Sequence, residues 1–509
     1  MTYSNPIVRG HAPDPSVVRV GEDWYLVNSS FTQLPGLPIR HSRDLVNWEI
    51  VGHAVTRPSQ YRKDGQAGPM TLFAPTLRHH EGTFYLVCTN PVAGNGNFLL
   101  TTDDPAGEWS DAVWIDEDAF DPSLFCDDDG TWYYTRRSLD FGRPDGLLGP
   151  IVQATIDVAT GELGELRTLT DGGGFVTNDI EGPHLFRRGE WYYLTAAEGS
   201  SWKGHLQSIG RSRSPWGPFE PAPHNPILTH RDRVGHPIQS VGHADLVEAA
   251  DGSWWAFSLG TRHAPLSQHH NIGRETFLTP MTWTDDGWPV IGDGGHTELE
   301  VVDHPELPVG EPRRVAATLW NQGWVGIRRV PANSPLPAGN PIEVAGGKDL
   351  ASAVSGVGAL LRPQTADDQR FTATFVPPTD GAAGIAAYTD ASHHYSVLVS
   401  GAGSTRTATV RLIVDDLTVT RTHPLPGSGE LTLTIVARPD AYHFLATADG
   451  TGHDLGRGSA RLLSAEAAEW FVATHFALVH VGDPGQGVTF CGVECEDLPS
   501  LPPTIRLPF

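Results

Sequence analysis

Along the first 300 residues, short apolar runs that end in aromatic pairs alternate with polar turns rich in Gly and Pro. Helical periodicity is nearly absent. One pattern returns five times: DPSVVRVGEDWYLV from residue 14, APTLRHHEGTFYLV from 74, DPSLFCDDDGTWYY from 121, EGPHLFRRGEWYYL from 181 and GHADLVEAADGSWWAF from 242. Each copy has a polar or proline-rich lead-in, a short strand and a Gly-containing turn. Each closes on an aromatic pair: Trp24-Tyr25, Phe84-Tyr85, Trp132-Tyr133, Trp191-Tyr192 and Trp254-Trp255. The starts lie 60, 47, 60 and 61 residues apart, the spacing of four-stranded units repeated around an axis. A tryptophan-bearing strand follows in HSRDLVNWEI, TTDDPAGEWSD, SRSPWGPFE and TWTDDGWPVI. The pattern predicts a five-bladed β-propeller over residues 1–303.

A linker is expected at 304–317, around the proline-rich HPELPVGEPRR. From 318 to 509 the chain alternates apolar and polar by twos, as in RFTATFVPP, HHYSVLVSG, TATVRLIVDD, LTLTIVARP and YHFLATADG. Such segments predict half-buried antiparallel strands of a β-sandwich, jelly-roll or concanavalin-like. Only SAEAAEWFVA suggests a short helix. The fold class is therefore all-β.

Charge narrows the function. Lys and Arg number 35 against 60 Asp and Glu, a net −25 over 509 residues. Nucleic acid and anionic membranes call for a basic face, so neither is expected as a partner. No stretch of 18 apolar residues is present. The start MTYSNPIVRG lacks a basic flank and apolar core, which predicts a cytoplasmic protein, or a secreted one if a leader has been removed. Four cysteines fit a reducing compartment. Cys88 and Cys126 read as inert core residues, and Cys491 and Cys495 in CGVEC match no zinc spacing. The histidines of RHH (78–80) and QHH (268–270) read as solvated or rim residues. A homo-oligomer is left open.

In a propeller the innermost strands converge on one channel, so equivalent positions in different blades become neighbours. Counting back from the first aromatic of each pair gives 10 residues to Asp14, 11 to Asp121, 10 to Glu181 and 11 to His243, with Ala74 in the second copy. Three carboxylates and a histidine are thus expected around one channel mouth, with Asp14 stiffened by Pro13 and Pro15. Singly, an Asp in DPS is as well explained as a turn cap. Three at matched positions favour chemistry. Converging carboxylates beside aromatics suit glycoside hydrolysis, which needs one protonated acid and one ionised carboxylate. A third carboxylate would raise the acid's pKa.

Together, NPIVRGHAPDPSVVRVGEDWYLVNSSF, LPGLPIRHSRDLVNW, FDPSLF, EGPHLF, TAAEG, GHADLV and GRETF followed by DGWPV resemble glycoside hydrolase family 43. The likeness is to its β-xylosidase and α-L-arabinofuranosidase members with a C-terminal β-sandwich, and is dense over residues 5 to about 291. The resemblance implies an inverting hydrolase with Asp14 as general base, Glu181 as general acid and Asp121 as modulator of the acid. It further implies Arg274 as a contact to sugar hydroxyls and Phe31 as a pocket wall. The second copy departs from the family's WAPD, reading FAPT, so Phe73 supplies the aromatic there and the carboxylate is lost. His243 matches a channel histidine that in some members neighbours calcium; the alternative is a hydrogen-bonded histidine, with no cofactor required. The expected substrate is a small xylo-oligosaccharide, cleaved from its end to release xylose. An α-L-arabinofuranosidase acting on arabinoxylan fragments, or a sugar-binding propeller without chemistry, are the alternatives. Fructan hydrolases would carry NDPNG and RDP, which are missing.

Overall fold

The computed structural model describes residues 2–500, apart from 119, 140–148, 171–173, 178, 203, 265–267, 302–312, 314, 337–340 and 469–470. The proline-rich bridge thus lies almost wholly outside the described residues. The chain is all-β and divides into two compact units. One comprises Met1–Thr261 and Glu275–Val315, the other Arg262–Arg274 and Ala316–Phe509. The short segment Arg262–Arg274, inside the range expected for the first domain, groups with the second unit. No helix among the described residues is long and apolar enough to cross a membrane.

In the first unit each repeated segment becomes a sheet of successive antiparallel strands. Their first strands are Ser16–Val20, Phe73–His80, Ser123–Cys126, Ile180–Arg188 and Ile238–Glu248. Each first strand packs against the next, and the fifth against the first. The repeated aromatics make ring contacts between sheets as well as within them. Tyr25 meets Phe84 at 5.1 Å between ring centroids, Tyr85 meets Trp132 at 4.7 Å and Phe125 meets Tyr192 at 6.3 Å. Phe186 meets Trp254 at 5.7 Å, and Trp48 meets Phe257 at 5.8 Å, returning the series to the first sheet. Such ring pairs add about 0.5–1.5 kcal/mol each beyond the area they bury. The aromatic pair of every copy thus holds neighbouring sheets together.

The second unit has two six-stranded antiparallel sheets. Strand Leu431–Ala437 of one alternates buried and half-buried positions throughout, as its period-two sequence requires. Phe371, Ile435 and Phe444 of that sheet share a core with Ile385, Val397, Phe476 and Leu478 of the other. The expected helix is one turn, Ala465–Ala468. Cys491 and Cys495 are free thiols on one strand, Gly487–Asp497.

Candidate active site

Cross-strand register defines which residues of the repeats are equivalent. Ser16 pairs with Val27, Thr76 with Val87, Ser123 with Thr135 and His184 with Thr195. Two positions earlier stand Asp14, Ala74, Asp121 and Gly182. Glu181 is therefore one residue ahead of the repeat position, not on it. The count from Trp191 slips because the residue matching Trp24 is Tyr192, which faces Arg187 as Trp24 faces Arg19. The proline that follows each position (Pro15, Pro75, Pro122, Pro183) was the signal that would have set the frame.

Backbone geometry carries the same repeat. Asp14, Asp121 and His243 all have left-handed φ, at 51°, 56° and 46°, and Gly182 has φ 54°. A non-glycine residue in that region costs on the order of 1–3 kcal/mol and persists only where its surroundings fix it. At Gly182 only glycine fits, since a Cβ would lie 2.8 Å from His243 Nε2. The Gly182 N–H donates to Asp121 Oδ2 at 3.0 Å. The copies therefore converge in space: the fourth touches both the third and the fifth.

Asp14 is buried, accepts from Ser29 Oγ at 2.6 Å and lies 3.5 Å from His243 Nδ1. The NSS segment builds this corner. Asn28 Nδ2 donates to the carbonyls of Ala12 and Pro13, both at 3.0 Å, and the Ser29 N–H donates to Pro13 O. The flanking prolines are thus only part of what holds Asp14.

Glu181 sits one layer out, half-buried, with Phe73 and Phe120 at the matching positions of the second and third copies. Arg137 Nη1 donates to both Glu181 Oε2 and Asp179 Oδ1 at 3.0 Å and stacks over Phe120 at 5.0 Å. Phe73 meets Phe120 at 6.4 Å and Phe31 at 5.8 Å, and Phe31 meets His11 at 5.5 Å. A continuous aromatic wall runs from His11 to the Arg137–Glu181 pair. Sequence reading identified Phe31 and Phe73 and passed over Phe120, Arg137 and Asp179. Phe120, directly before DPS, could have been found; Arg137 could not, because its strand carries no distinguishing motif.

Burial drives the Asp121 carboxyl well above the usual carboxylate range, and the negative charges of Glu181 and Asp14 push it further. Arg137 and the Gly182 N–H oppose the shift without cancelling it. The three carboxylates therefore sense one another, and their proton affinities are coupled.

A third layer lies two residues beyond the repeat position: Ser16, Thr76, Ser123, His184 and Asp245. Ser16 Oγ donates to Asp245 Oδ2 at 2.8 Å, Arg78 Nη1 pairs with the same oxygen at 3.0 Å, and Thr76 Oγ1 donates to Pro122 O at 2.9 Å. Arg78 Nη2 lies 3.1 Å from His184 Nδ1, and burial lowers the His184 pKa to about 4, so this imidazole is a neutral acceptor. Arg78, which the sequence did not single out, links the first strands. Arg274 opens strand Arg274–Trp283 and is buried; it falls in the second unit, its guanidinium 4.6 Å from the Phe471 ring.

The family model Glycosyl hydrolases family 43 matches residues 3–289. A non-reducing end alpha-L-arabinofuranosidase of Bacteroides ovatus is 37% identical over 508 residues, covering 96% of this chain and 93% of the relative. A xylosidase/arabinosidase of Butyrivibrio fibrisolvens is 40% identical over 344 residues, 64% of this chain and 65% of the relative. Among solved structures, the xylan beta-1,4-xylosidase of Bacillus halodurans superposes with a TM-score of 0.85 at 28% identity, over 96% of this chain and 98% of that one.

Proposed function

Because the chain belongs to glycosyl hydrolases family 43 and is a glycoside hydrolase, we propose that the clustered carboxylates of the first unit are its catalytic centre. The five sheets are then the blades of a β-propeller over roughly residues 1–303, and the two six-stranded sheets a β-sandwich. The observation that carries the reading is the proximity of Asp14, Asp121 and Glu181, whose charges act on one another and raise the proton affinity of Asp121.

Asp14 is the general base. Ser29 and His243 fix its orientation, leaving the carboxylate to take a proton from water. Glu181, one layer out beside the aromatic wall, is the general acid that protonates the departing sugar oxygen. Asp121 supplies the buried negative charge that keeps the acid protonated, against the pull of Arg137, whose charge is shared with Asp179. The sugar stacks along Phe31, Phe73 and Phe120. We route no step through calcium. His243 offers a nitrogen where calcium prefers oxygen, and the one set of three His, Cys, Asp or Glu ligand atoms clustered within 4.8 Å among the described residues lies elsewhere.

The preferred substrate is a short β-1,4-xylo-oligosaccharide, hydrolysed from its end with inversion to release xylose. The relative from Bacteroides ovatus, matched over nearly the whole chain, supports α-L-arabinofuranosidase activity as the second reading. Side-by-side rates on nitrophenyl β-xyloside and α-arabinofuranoside decide between them. Substituting Glu181→Ala separates acid from nucleophile. Acid help is typically worth about 10²–10⁴-fold. That loss is expected on xylobiose, whose leaving group needs a proton, and a much smaller one on a dinitrophenyl xyloside. Fresh product should be α-xylose by NMR. Equal losses on both substrates, or initial β-xylose, overturn the assignment.

A further inference from the structure

The second unit holds a group of side chains that the hydrolytic reading does not use. His263, His270 and Glu466 bring one ligand atom each to within 4.8 Å of one another. Both histidines are buried, with ring centroids 5.3 Å apart. His270 Nδ1 lies 2.9 Å from Glu466 Oε1, and the His270 N–H donates to Glu466 Oε2 at 3.1 Å. QHH was expected to be solvated; its last histidine is instead buried against a carboxylate 196 residues away.

The scaffold around this group is already tied. The Ala465 N–H donates to His270 O at 3.2 Å, and the Thr474 N–H donates to Asn271 O at 2.7 Å. Asn271 Nδ2 donates to Ala460 O at 2.8 Å. These bonds fix the backbone of the segment that carries the histidines on the segment that carries Glu466, so the ligand atoms are placed before any ion arrives. Preorganisation of this kind is what a stable site requires.

We propose that His263, His270 and Glu466 form a binding site for a divalent transition metal, zinc being the best match. Two imidazole nitrogens and one carboxylate oxygen are a donor set that zinc accepts and that calcium and magnesium do not favour. Bonds of about 2.0–2.2 Å in a tetrahedron place ligand atoms roughly 3.4 Å apart. The His270–Glu466 pair is already near that spacing, and His263 closes by about 1.4 Å at most. Glu466 is on the exposed side, so water fills the fourth position. The ion would clip Arg262–Arg274 to the segment around Ala465–Ala468 and stabilise the second unit.

Full-length protein stripped with chelator and titrated with zinc chloride by calorimetry should bind one equivalent, and its melting temperature should rise. Cobalt in place of zinc should give visible ligand-field bands. Glu466→Gln should weaken zinc binding at least tenfold, and its melting temperature in chelator, set against the parent's, measures separately what the His270 contacts contribute without metal. His263→Gln should abolish the cobalt bands. If His263→Gln fails to fold, Glu466→Gln alone decides. No binding at micromolar zinc, or one equivalent bound with unaltered affinity in Glu466→Gln, overturns the site.

Discussion

Both units are antiparallel β, and a left-handed residue serves different ends at different places in them. In the second unit, Asp415 and Asp449 have φ of 52° and 48°, and each is the first residue of a two-residue turn. There a left-handed residue is what the tight hairpin demands. In the first unit, Asp14 and Asp121 take similar values just ahead of innermost strands, and His243 within one, where no hairpin asks for them. The left-handed turn there aims side chains at one point, and hydrogen bonds from Ser29 and Gly182 hold the carboxylates in place. The same left-handed φ serves a hairpin at Asp415 and Asp449 and aims a side chain at Asp14 and Asp121.

The widest gap between the two classes should be in activity. Asp14→Ala should lower kcat/KM on every substrate by about 10²–10⁴-fold, with circular dichroism unchanged, whereas Asp415→Ala should leave it within twofold. An Asp14 variant within tenfold of the parent removes the base from the mechanism.

A second, smaller effect separates the two groups that pull on Glu181. Removing the Asp121 charge in Asp121→Asn should move the alkaline limb of the rate profile down, by roughly 0.5–1 pH unit. Arg137→Gln takes away the cation that favours ionised Glu181 and should move the same limb up. Shifts of the same sign, or no shift, would make these residues substrate contacts rather than modulators.

Much of this contrast was legible in the chain. The repeat gave five sheets because each copy carries its own turn and aromatic pair, and the strict alternation after residue 318 gave the second pair of sheets. Asp14, Asp121 and His243 were placed by counting. Glu181 was found by motif but assigned to the wrong layer, since three successive aromatics in WYY let the count slip by one. Arg137 and the Arg78–Asp245 link were invisible: long side chains reach partners 44 and 167 residues away, and no local pattern encodes such distances. The buried His270–Glu466 pair was missed for the same reason.

Stability should show the cost of the strained cluster. Asp121 has a folded pKa above its unfolded value of about 3.9. The folded state therefore binds the proton more tightly. That contribution is fully present below pH 4 and is lost as pH rises through the raised folded pKa. Asp121→Asn, which needs no ionisation and can still accept from Gly182, should melt above the parent by roughly 2–4 °C at neutral pH. The advantage should vanish on acidification towards pH 4. A gap independent of pH would mean the carboxyl is not strained by burial and its neighbours.

The smallest effect belongs to the turn. Asp415→Gly meets two opposing terms. Glycine takes the left-handed φ without penalty, which favours it at the first position of such a hairpin. The substitution also loses the Asp415 carboxylate, 3.5 Å from Nε2 of the buried His393; with its carboxylate in solvent such a pair is worth about 0–1 kcal/mol. The unfolded chain also gains freedom with glycine, which offsets part of the relief. The net change should stay within about 0.5 kcal/mol of zero, read as an unchanged urea midpoint. Asp14→Gly enjoys the same relief at its backbone and gives up a carboxylate held by Ser29 and His243, so it should stay folded and lose turnover. A turn variant that unfolds the second unit, or an Asp14→Gly enzyme that still turns over, would erase the distinction between strain that makes a hairpin and strain that aims a side chain.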